Sequence, residues 1–202
     1  MRGRPWTRVV LTLTLAGAAT ASAQSWSQSA DLAAGGASGA TKIDASYSPL
    51  LSLFDDRLTL GLGARFGVFL LGDNSFRPVD SGSSGDLALQ APVALSINAF
   101  VQARIRVIGG FELGGNIDVI GYGFGPTSSG ANGAHAAHFN VLALGSGDRG
   151  QLDSEFFVGW RAEHWGVRAG LTHFRTEFVA EAGGGRFTRS FTGGFAAVEA
   201  RF

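Results

Sequence analysis

The chain of 202 residues contains no cysteine, which excludes both a disulfide framework and thiolate chemistry. Proline is scarce as well, with 5 residues, whereas glycine reaches 31 and aromatic residues make up 11%. A disordered linker would contain few aromatic residues, so this composition excludes one. The composition is typical of a β-sheet whose tilted strands pack closely against one another.

The sequence also lacks any run of eighteen apolar residues. This absence excludes helical membrane spans. If the chain crosses a membrane, it must do so as a closed β-barrel, because that is the other structure that satisfies its own backbone hydrogen bonds in lipid. The pattern to look for is therefore that of strands.

The first 23 residues have the three parts of a secretory signal peptide. Three arginines lie among the first eight residues, a short apolar run covers residues 9–19, and residues 21–23 (Ala-Ser-Ala) fit a cleavage site. We predict a signal peptide over residues 1–23 and one domain over residues 24–202, with an uncleaved amphipathic anchor as the alternative. The domain has 13 basic and 16 acidic residues, and its net charge of −3 gives no reason to expect nucleic acid as a partner.

Apolar and polar residues alternate along the last ten residues. Gly194, Ala196, Val198, Ala200 and Phe202 form the apolar or small set, and the charges lie between them. Period-two alternation indicates a strand with one apolar and one polar face. Six further segments show it, over residues 42–48, 57–71, 93–106, 111–124, 154–162 and 165–172.

A transmembrane barrel built this way needs an even number of strands. We place the eighth, weakly patterned strand within residues 25–39, where Ala30, Leu32 and Ala34 share one face. The predicted fold class is all-β: an eight-stranded antiparallel transmembrane β-barrel, an up-and-down meander, preceded by a cleaved signal peptide. Counting back from Phe202 places both termini and every short turn in the periplasm, and the long loops 72–86 and 126–153 outside.

Residues 138–144 (HFNVLAL) also have the pattern of a strand. Counting them as a spanning strand would move Phe202 to the wrong side of the membrane. We interpret them as an extension of the outer hairpin or as a piece that lies across the mouth of the barrel. A spanning strand is the alternative.

Several aromatic residues lie where the predicted strands meet the short turns. Interfacial girdles of membrane barrels place aromatic rings at such positions, because the rings tolerate a half-wet boundary. Scattered core aromatics are the alternative. The predicted periplasmic aromatic rim consists of Phe54, Phe111, Trp160, Trp165 and Phe202.

The polar faces of the strands would line the lumen. An eight-stranded barrel is just wide enough inside for its own side chains, and paired ions are tolerable there whereas isolated ions are costly. We therefore predict a closed ion-pair network with Arg168–Glu199 as its best single pair; a narrow solute path lined by the arginines is the alternative. The network comprises Lys42, Asp44, Arg65, Arg104, Arg106, Glu112, Asp118, Glu155, Arg161, Glu163, Arg168, Glu199 and Arg201, with bulk from Phe69, Phe100, Tyr122, Phe157 and Phe195.

Catalytic and metal sites find little support in the sequence. His173, Arg175 and Glu177 could cluster at the outer rim, but that set holds no serine for the His to activate, and Ser190 on the facing strand is the nearest candidate. Arg175 could equally contact lipopolysaccharide phosphates. His135 and His138 lie three apart in a loop, with Asp148 and Asp153 downstream, and two such ligands do not make a site. We predict no cofactor, no metal and no catalytic residue.

In segment count, alternation and terminal Phe202, the mature chain resembles the small outer-membrane barrels of the OmpA, OmpX and OmpW kind. The resemblance implies an outer-membrane location, contact with lipid and lipopolysaccharide, and recognition of the terminal strand by the barrel assembly machinery. It rests on architecture and not on a diagnostic motif. A plugged barrel that acts structurally or through its loops is the first functional hypothesis, a small-solute channel the second and a lipid A-modifying hydrolase the third. A soluble lipocalin-like barrel, apolar inside and polar outside, is the structural alternative.

Overall fold

The computed structural model describes residues 24–79, 85–130, 133–141 and 152–202; the predicted signal peptide lies outside them and stays a prediction. Within these residues, twelve β-strands follow one another along the chain. They are β1 (Ser25–Ala37), β2 (Ala40–Leu53), β3 (Leu58–Leu71), β4 (Asn74–Pro78), β5 (Leu87–Leu89), β6 (Val93–Ile108), β7 (Phe111–Phe124), β8 (Ala134–His135), β9 (Ala137–Val141), β10 (Leu152–Arg161), β11 (Trp165–Ala180) and β12 (Arg186–Arg201). In the described part of the chain, no helix has the length and apolar character needed to span a membrane.

The eight long strands close into a barrel. Each of β1, β2, β3, β6, β7, β10, β11 and β12 pairs antiparallel with the next, and β12 pairs with β1 to close the sheet. Closure leaves no open edge in the barrel wall. The predicted all-β, eight-stranded, up-and-down antiparallel barrel is confirmed.

The two ends of the barrel differ in their connections. We call the end that carries residues 54–57, 109–110 and 162–164 the turn end, and the opposite end the loop end. The prediction that every short turn lies at the turn end was wrong in one case, because residues 38–39 join β1 to β2 at the loop end. Gly39 there has a φ of 76°, the left-handed conformation that tight hairpin turns require and glycine adopts without strain.

The last two strands extend well beyond their predicted bounds. Alternation of lipid-facing apolar residues ends near residue 172, yet β11 continues to Ala180 and its pairing with β12 continues to Val179 and Arg186. The inward face keeps its phase through buried Phe174 and Phe178. The hairpin therefore continues as paired strands after its outer face has lost the apolar pattern of the barrel wall.

A β-bulge shifts the phase of β7. Phe100 pairs with Asp118 and its neighbour Ala99 pairs with Ile120, so Val119 is an extra residue on β7. A bulge of this kind reverses the alternation beyond it. Tyr122, predicted to fill the lumen, consequently points outward and is 49% exposed.

The four short strands build structure on the loop end. β4 pairs with β5 and with β12, and β8 pairs with β11. β9 pairs with β7 at residues 120–124, beyond the residues at which β10 pairs with β7. This agrees with the interpretation of residues 138–144 as an extension of the outer hairpin; residues 142–144 lie outside the described part.

The barrel is polar inside and apolar outside. Outward-facing Leu62 and Ile97 are 59% and 56% exposed, whereas inward-facing Lys42 and Arg104 are fully buried. A soluble protein has the opposite distribution, so the lipocalin-like alternative was wrong. The outer wall matches the apolar band of a membrane barrel.

Candidate functional site in the barrel lumen

Lys42 organises the charged side chains nearest to the loop end. Its Nζ lies 2.5 Å from Asp153 Oδ2, 2.7 Å from Glu155 Oε1 and 3.0 Å from Asp44 Oδ2. Alternation brings these groups together: Lys42 and Asp44 point inward from β2, and Asp153 and Glu155 from β10. One ammonium group thus holds three carboxylates from two strands that are not neighbours in the wall.

The same three carboxylates have the spacing of a metal-binding group, with oxygens within 4.8 Å of one another. Lys42 Nζ lies within 3.0 Å of an oxygen of each of them. The ammonium ion therefore already supplies the positive charge that a cation would bring to this position.

Arg65 joins this cluster from β3. Its guanidinium donates to Asp153 Oδ2 at 2.6 Å and to Asn116 Oδ1 at 2.6 Å, and it lies 4.9 Å from the centre of the Phe100 ring. Asn116 in turn donates to Glu155 at 2.7 Å. Cation–π contact and amide bridges give the buried guanidinium partners on several sides.

Asp118 completes the cluster through neutral donors. Asn98 Nδ2 donates to Asp118 Oδ2 at 2.7 Å, and the backbone N–H of Asp153 donates to the same oxygen at 3.1 Å. Arg65 lies 3.9 Å away. We call Lys42, Arg65, Asp44, Asp118, Asp153 and Glu155 the upper cluster. In it two cations share four carboxylates, and amides and the Thr172 hydroxyl supply further hydrogen bonds.

A second set of ions lies between the upper cluster and the turn end. Glu199 accepts hydrogen bonds from Arg104, at 2.5 Å, and from Arg201. Arg161 Nε lies 3.0 Å from Glu112 Oε1. We call Arg104, Arg161, Arg168, Arg201, Asp31, Glu112 and Glu199 the lower cluster.

Arg168 and Glu199, predicted as the best pair of the network, are close to each other, but the distance between their charged groups is long for an ion pair. Arg168 Nε lies 3.9 Å from Glu199 Oε2, whereas Arg168 Nη2 donates to Asp31 Oδ1 at 2.8 Å. In the β11–β12 register Glu199 faces Gly166, two residues from Arg168, and this diagonal offset explains the longer distance. Asp31 on β1 is the nearer partner.

Two other predicted network residues lie apart from the buried ions. Glu163 is exposed in the turn of residues 162–164, because the chain has left the strand phase there. Arg106 lies at the turn end, half-buried, and donates to Asp56 at 3.3 Å. The other eleven predicted residues lie in one of the two clusters.

Sequence reasoning missed Asp31 and Asp153, although each had a signal. Asp31 lies between Ala30 and Leu32, which share one face of the predicted strand, so alternation places Asp31 on the opposite face. Asp153 lies two residues before Glu155 and shares its face, but the predicted strand begins at Ser154 whereas β10 begins at Leu152. Asn98, Gln102 and Asn116 also hydrogen-bond within the lumen, and all three lie on strand faces that alternation predicts to point inward.

An apolar cluster, which the sequence analysis did not predict as a unit, lies beyond the ions at the loop end. Phe69 lies 5.2 Å from Phe174, Phe174 lies 5.2 Å from Phe191, and Phe76 of β4 lies 4.9 Å from Phe178. We call this set the apolar cap. Its buried members are Ala40, Phe69, Leu71, Phe76, Leu87, Leu89, Ala94, Ala134, Ala136, Phe174, Phe178, Ala180, Phe187 and Phe191.

The aromatic residues of the predicted rim all lie at the turn end and are exposed. Phe111 and Trp160 touch edge to face, with ring centres 4.8 Å apart. The set is Phe54, Phe111, Trp160, Trp165 and Phe202. Trp26, which the prediction did not include, is exposed beside them at the start of β1.

Among the described contacts, none joins His135 or His173 to a carboxylate. His173 points outward, and its Nδ1 lies 2.8 Å from Thr192 Oγ1. Glu177 is buried and pairs with Arg186. His135 lies in β8 and His138 in β9, on separate pairings with β11 and β7.

No family model and no curated protein match the chain. Among solved structures, Neisserial surface protein A is similar to it: the two chains are 14% identical, the match covers 89% of this chain and 99% of that chain, and the TM-score is 0.41. The strand pairing itself establishes the barrel.

Proposed function

We propose that this protein is an integral outer-membrane β-barrel with a closed lumen that acts structurally or through its loop end. The observation that carries the proposal is the filling of the lumen by its own side chains. The lower cluster, the upper cluster and the apolar cap follow one another from the turn end to the loop end. This succession of charged and apolar groups supports a lumen that is closed to bulk solvent.

Aromatic rings strengthen this closure. Phe157 lies between the two clusters, 4.7 Å from the guanidinium of Arg168 and 5.8 Å from that of Arg104, and it contacts Phe195 edge to face. Both rings are buried. Cations held against aromatic faces and carboxylates are fixed in place, which favours a plug over a row of mobile charges.

The outer wall and the two ends support the membrane assignment. Apolar side chains cover the outside, and exposed aromatics gather at the turn end, as interfacial girdles do. Both chain ends of the barrel and the short turns 54–57, 109–110 and 162–164 share that end. By the topology rule of outer-membrane barrels, the turn end is periplasmic and the loop end extracellular.

Two partners fit these surfaces. At the loop end, Arg77 and Arg189 line a groove of about 570 Å³ with Ser75 and Asp86, and arginines of this kind suit the phosphates of lipopolysaccharide. At the turn end, β12 finishes on exposed Phe202, which we propose as the feature that the barrel assembly machinery reads.

The test is single-channel conductance of refolded residues 24–202 in planar bilayers, with heat-dependent gel mobility as the check that the barrel is folded. We expect no discrete openings from the unaltered protein. Glu199→Ala should also be silent, because the apolar cap closes the loop end independently of the lower cluster. Stepwise conductance of the folded, unaltered protein would overturn the closed lumen and favour the channel.

A lipid A hydrolase is the remaining alternative, and it has its own assay. Folded protein is incubated with lipopolysaccharide and released fatty acid is measured. We expect none, since outward-facing His173 contacts Thr192 and not Glu177 in the described structure. Release that disappears in His173→Ala would contradict the non-enzymatic assignment.

A further inference from the structure

The turn end holds a cavity of about 340 Å³ that has no part in the proposed closure of the lumen. Arginines from three strands line it: Arg106 from β6, Arg161 from β10 and Arg201 from β12. Serine hydroxyls of β1 and β2 lie on its walls as well, at Ser27 and Ser52. Guanidinium and hydroxyl donors around one cavity are the groups that bind oxyanions.

Each of these arginines has hydrogen-bonding capacity to spare. Arg106 Nε, Arg161 Nη2 and Arg201 Nη2 are buried and have no hydrogen-bond partner among the described residues. The side chains of Arg161 and Arg201 are only 8% exposed. A buried donor without a partner is costly, and all three of these donors belong to side chains that line the cavity.

All three unpartnered atoms of the cavity arginines are donors. The carboxylates of the lower cluster are already engaged, Glu112 with Arg161 and Glu199 with Arg104 and Arg201. Three guanidinium groups and two side-chain carboxylates, those of Asp56 and Glu163, therefore line the cavity, and the unpartnered buried atoms among them are donors.

These carboxylates also orient two of the arginines. Glu112 holds Arg161 through Nε, and Glu199 holds Arg201 through Nε. In both residues the carboxylate contacts Nε, and the nitrogen without a hydrogen-bond partner is the terminal Nη2. An arginine held at Nε can offer its terminal nitrogens to a ligand with little further loss of side-chain conformational entropy.

We propose that this cavity is a binding site for a phosphate-class oxyanion at the periplasmic mouth of the barrel. Three guanidinium groups converging from separate strands match an anion with three or more acceptor oxygens better than a single carboxylate. A free phosphate and the phosphate of a lipid headgroup in the periplasmic leaflet share this chemistry. The site goes beyond the proposed function, because it would bind whether or not the lumen conducts.

Asp56 is an internal competitor for the site. Its Oδ2 lies 3.3 Å from Arg106 Nη2 and 3.8 Å from Arg161 Nη2, and the side chain is 41% exposed. It stands where an added anion would meet these two arginines. Removing its charge should therefore strengthen anion binding, a result that damage to the fold could not produce.

The first experiment titrates inorganic phosphate into the full mature barrel in a phosphate-free maltoside detergent, followed by calorimetry. We expect saturable binding that weakens at higher ionic strength. Arg106→Gln should weaken it about tenfold, the loss of one charge-assisted hydrogen bond. Asp56→Asn should strengthen it several-fold, and asparagine suits the φ of 65° at that position.

Arg57→Gln is the matched control. Arg57 lies in the same turn and carries the same charge, but it is exposed and does not line the cavity. Its binding should equal that of the unaltered protein. No measurable binding to the unaltered protein, or equal weakening by Arg57→Gln and Arg106→Gln, would overturn the site.

A second arm identifies the source of the phosphate. The barrel is reconstituted in phosphate-free glycolipid with a minor fraction of phosphatidylglycerol, and the lipid that it retains after extraction is identified by native mass spectrometry. Retention that Arg106→Gln abolishes and Asp56→Asn increases assigns the headgroup as ligand. Binding of inorganic phosphate without lipid retention assigns a soluble anion, and absence of both overturns the proposal.

Discussion

At the scale of single residues, Lys42 determines how the upper cluster is held. Its ammonium contacts three carboxylates from inside a fully buried position. Breaking a buried ion pair by removing one partner leaves a charge without compensation, which is far more damaging than losing a surface pair. Lys42 therefore contributes through the carboxylates that it keeps neutralised.

Lys42→Met is expected to lower the free energy of unfolding by about 3–5 kcal/mol. Methionine keeps much of the volume of the stem, so the effect would come from the charge and not from a cavity. The measurement is urea unfolding of the barrel in lipid vesicles, followed by tryptophan fluorescence. Arg57→Met, which removes an exposed charge of the same sign, should leave the midpoint within error.

Adding Asp44→Asn to Lys42→Met tests the mechanism. The Lys42→Met chain leaves Asp44 with Arg65, 3.9 Å away, as its remaining cation in the described structure. Removing the charge of Asp44 should recover part of the lost stability, so the two changes are not additive. Strict additivity would show that Lys42 acts through its packing.

At the scale of elements, closure of the sheet depends on small residues at the β1–β12 seam. A Cβ atom at Gly193 would lie 1.8 Å from the backbone oxygen of Gly36, which cannot move aside as a side chain can. A Cβ at Gly194 would meet its nearest atom at 3.8 Å, an ordinary contact. Adjacent glycines in one strand thus differ completely in what they tolerate.

Gly193→Ala should reduce the yield of folded barrel and lower its unfolding midpoint, because β1 must move away from β12. Gly194→Ala should fold like the unaltered protein and serves as the control with the same added methyl group. The measurement is the fraction of protein with folded mobility on unheated gels, together with urea unfolding. Equal behaviour of the two variants would contradict the close approach of the strands.

The strands differ in how well their bounds could be predicted from the sequence. Strands β3, β6 and β7 were predictable to within two residues, because each has one lipid-facing and one lumen-facing side. The bulge at Val119 was not predictable, since nothing in the amino-acid composition distinguishes an extra residue in a strand. Because of this bulge, Tyr122 was predicted on the wrong face. The outer half of the β11–β12 hairpin was missed because its outward face no longer needs to be apolar.

The candidate site divides in the same way. Inward-facing ions followed from alternation, but their partners depend on how strands far apart in the wall face each other across the lumen. Lys42 and Asp153 lie on β2 and β10, and no local pattern relates those strands. The apolar cap depends on loop segments folding back over the barrel, which strand periodicity does not describe.

At the scale of the whole molecule, the tryptophans report how the barrel sits in the membrane. Trp26, Trp160 and Trp165 all lie at the turn end and are exposed by 72%, 42% and 54%. Tryptophan prefers the boundary between headgroups and hydrocarbon. The barrel should therefore insert with these rings at one interface.

Brominated lipids provide the measurement. Bromine near the headgroup should quench the fluorescence of the reconstituted barrel strongly, and bromine near the bilayer centre only weakly. The Trp160→Phe variant, which keeps an aromatic ring in contact with Phe111, should retain the same depth profile at lower intensity. Stronger quenching from the bilayer centre would contradict the assigned position of the turn end.

The β1–β12 seam has one more consequence, and it concerns the order of events during assembly. The seam joins the two ends of the chain through eight residue pairs, whereas β11 and β12, adjacent in sequence, share fifteen. Contacts between distant parts of a chain form late, since the entropy of closing a long loop must be overcome first. Until the seam forms, β1 and β12 remain two open edges able to pair with other chains. The speed of this last step thus sets how long a newly made chain remains exposed to aggregation.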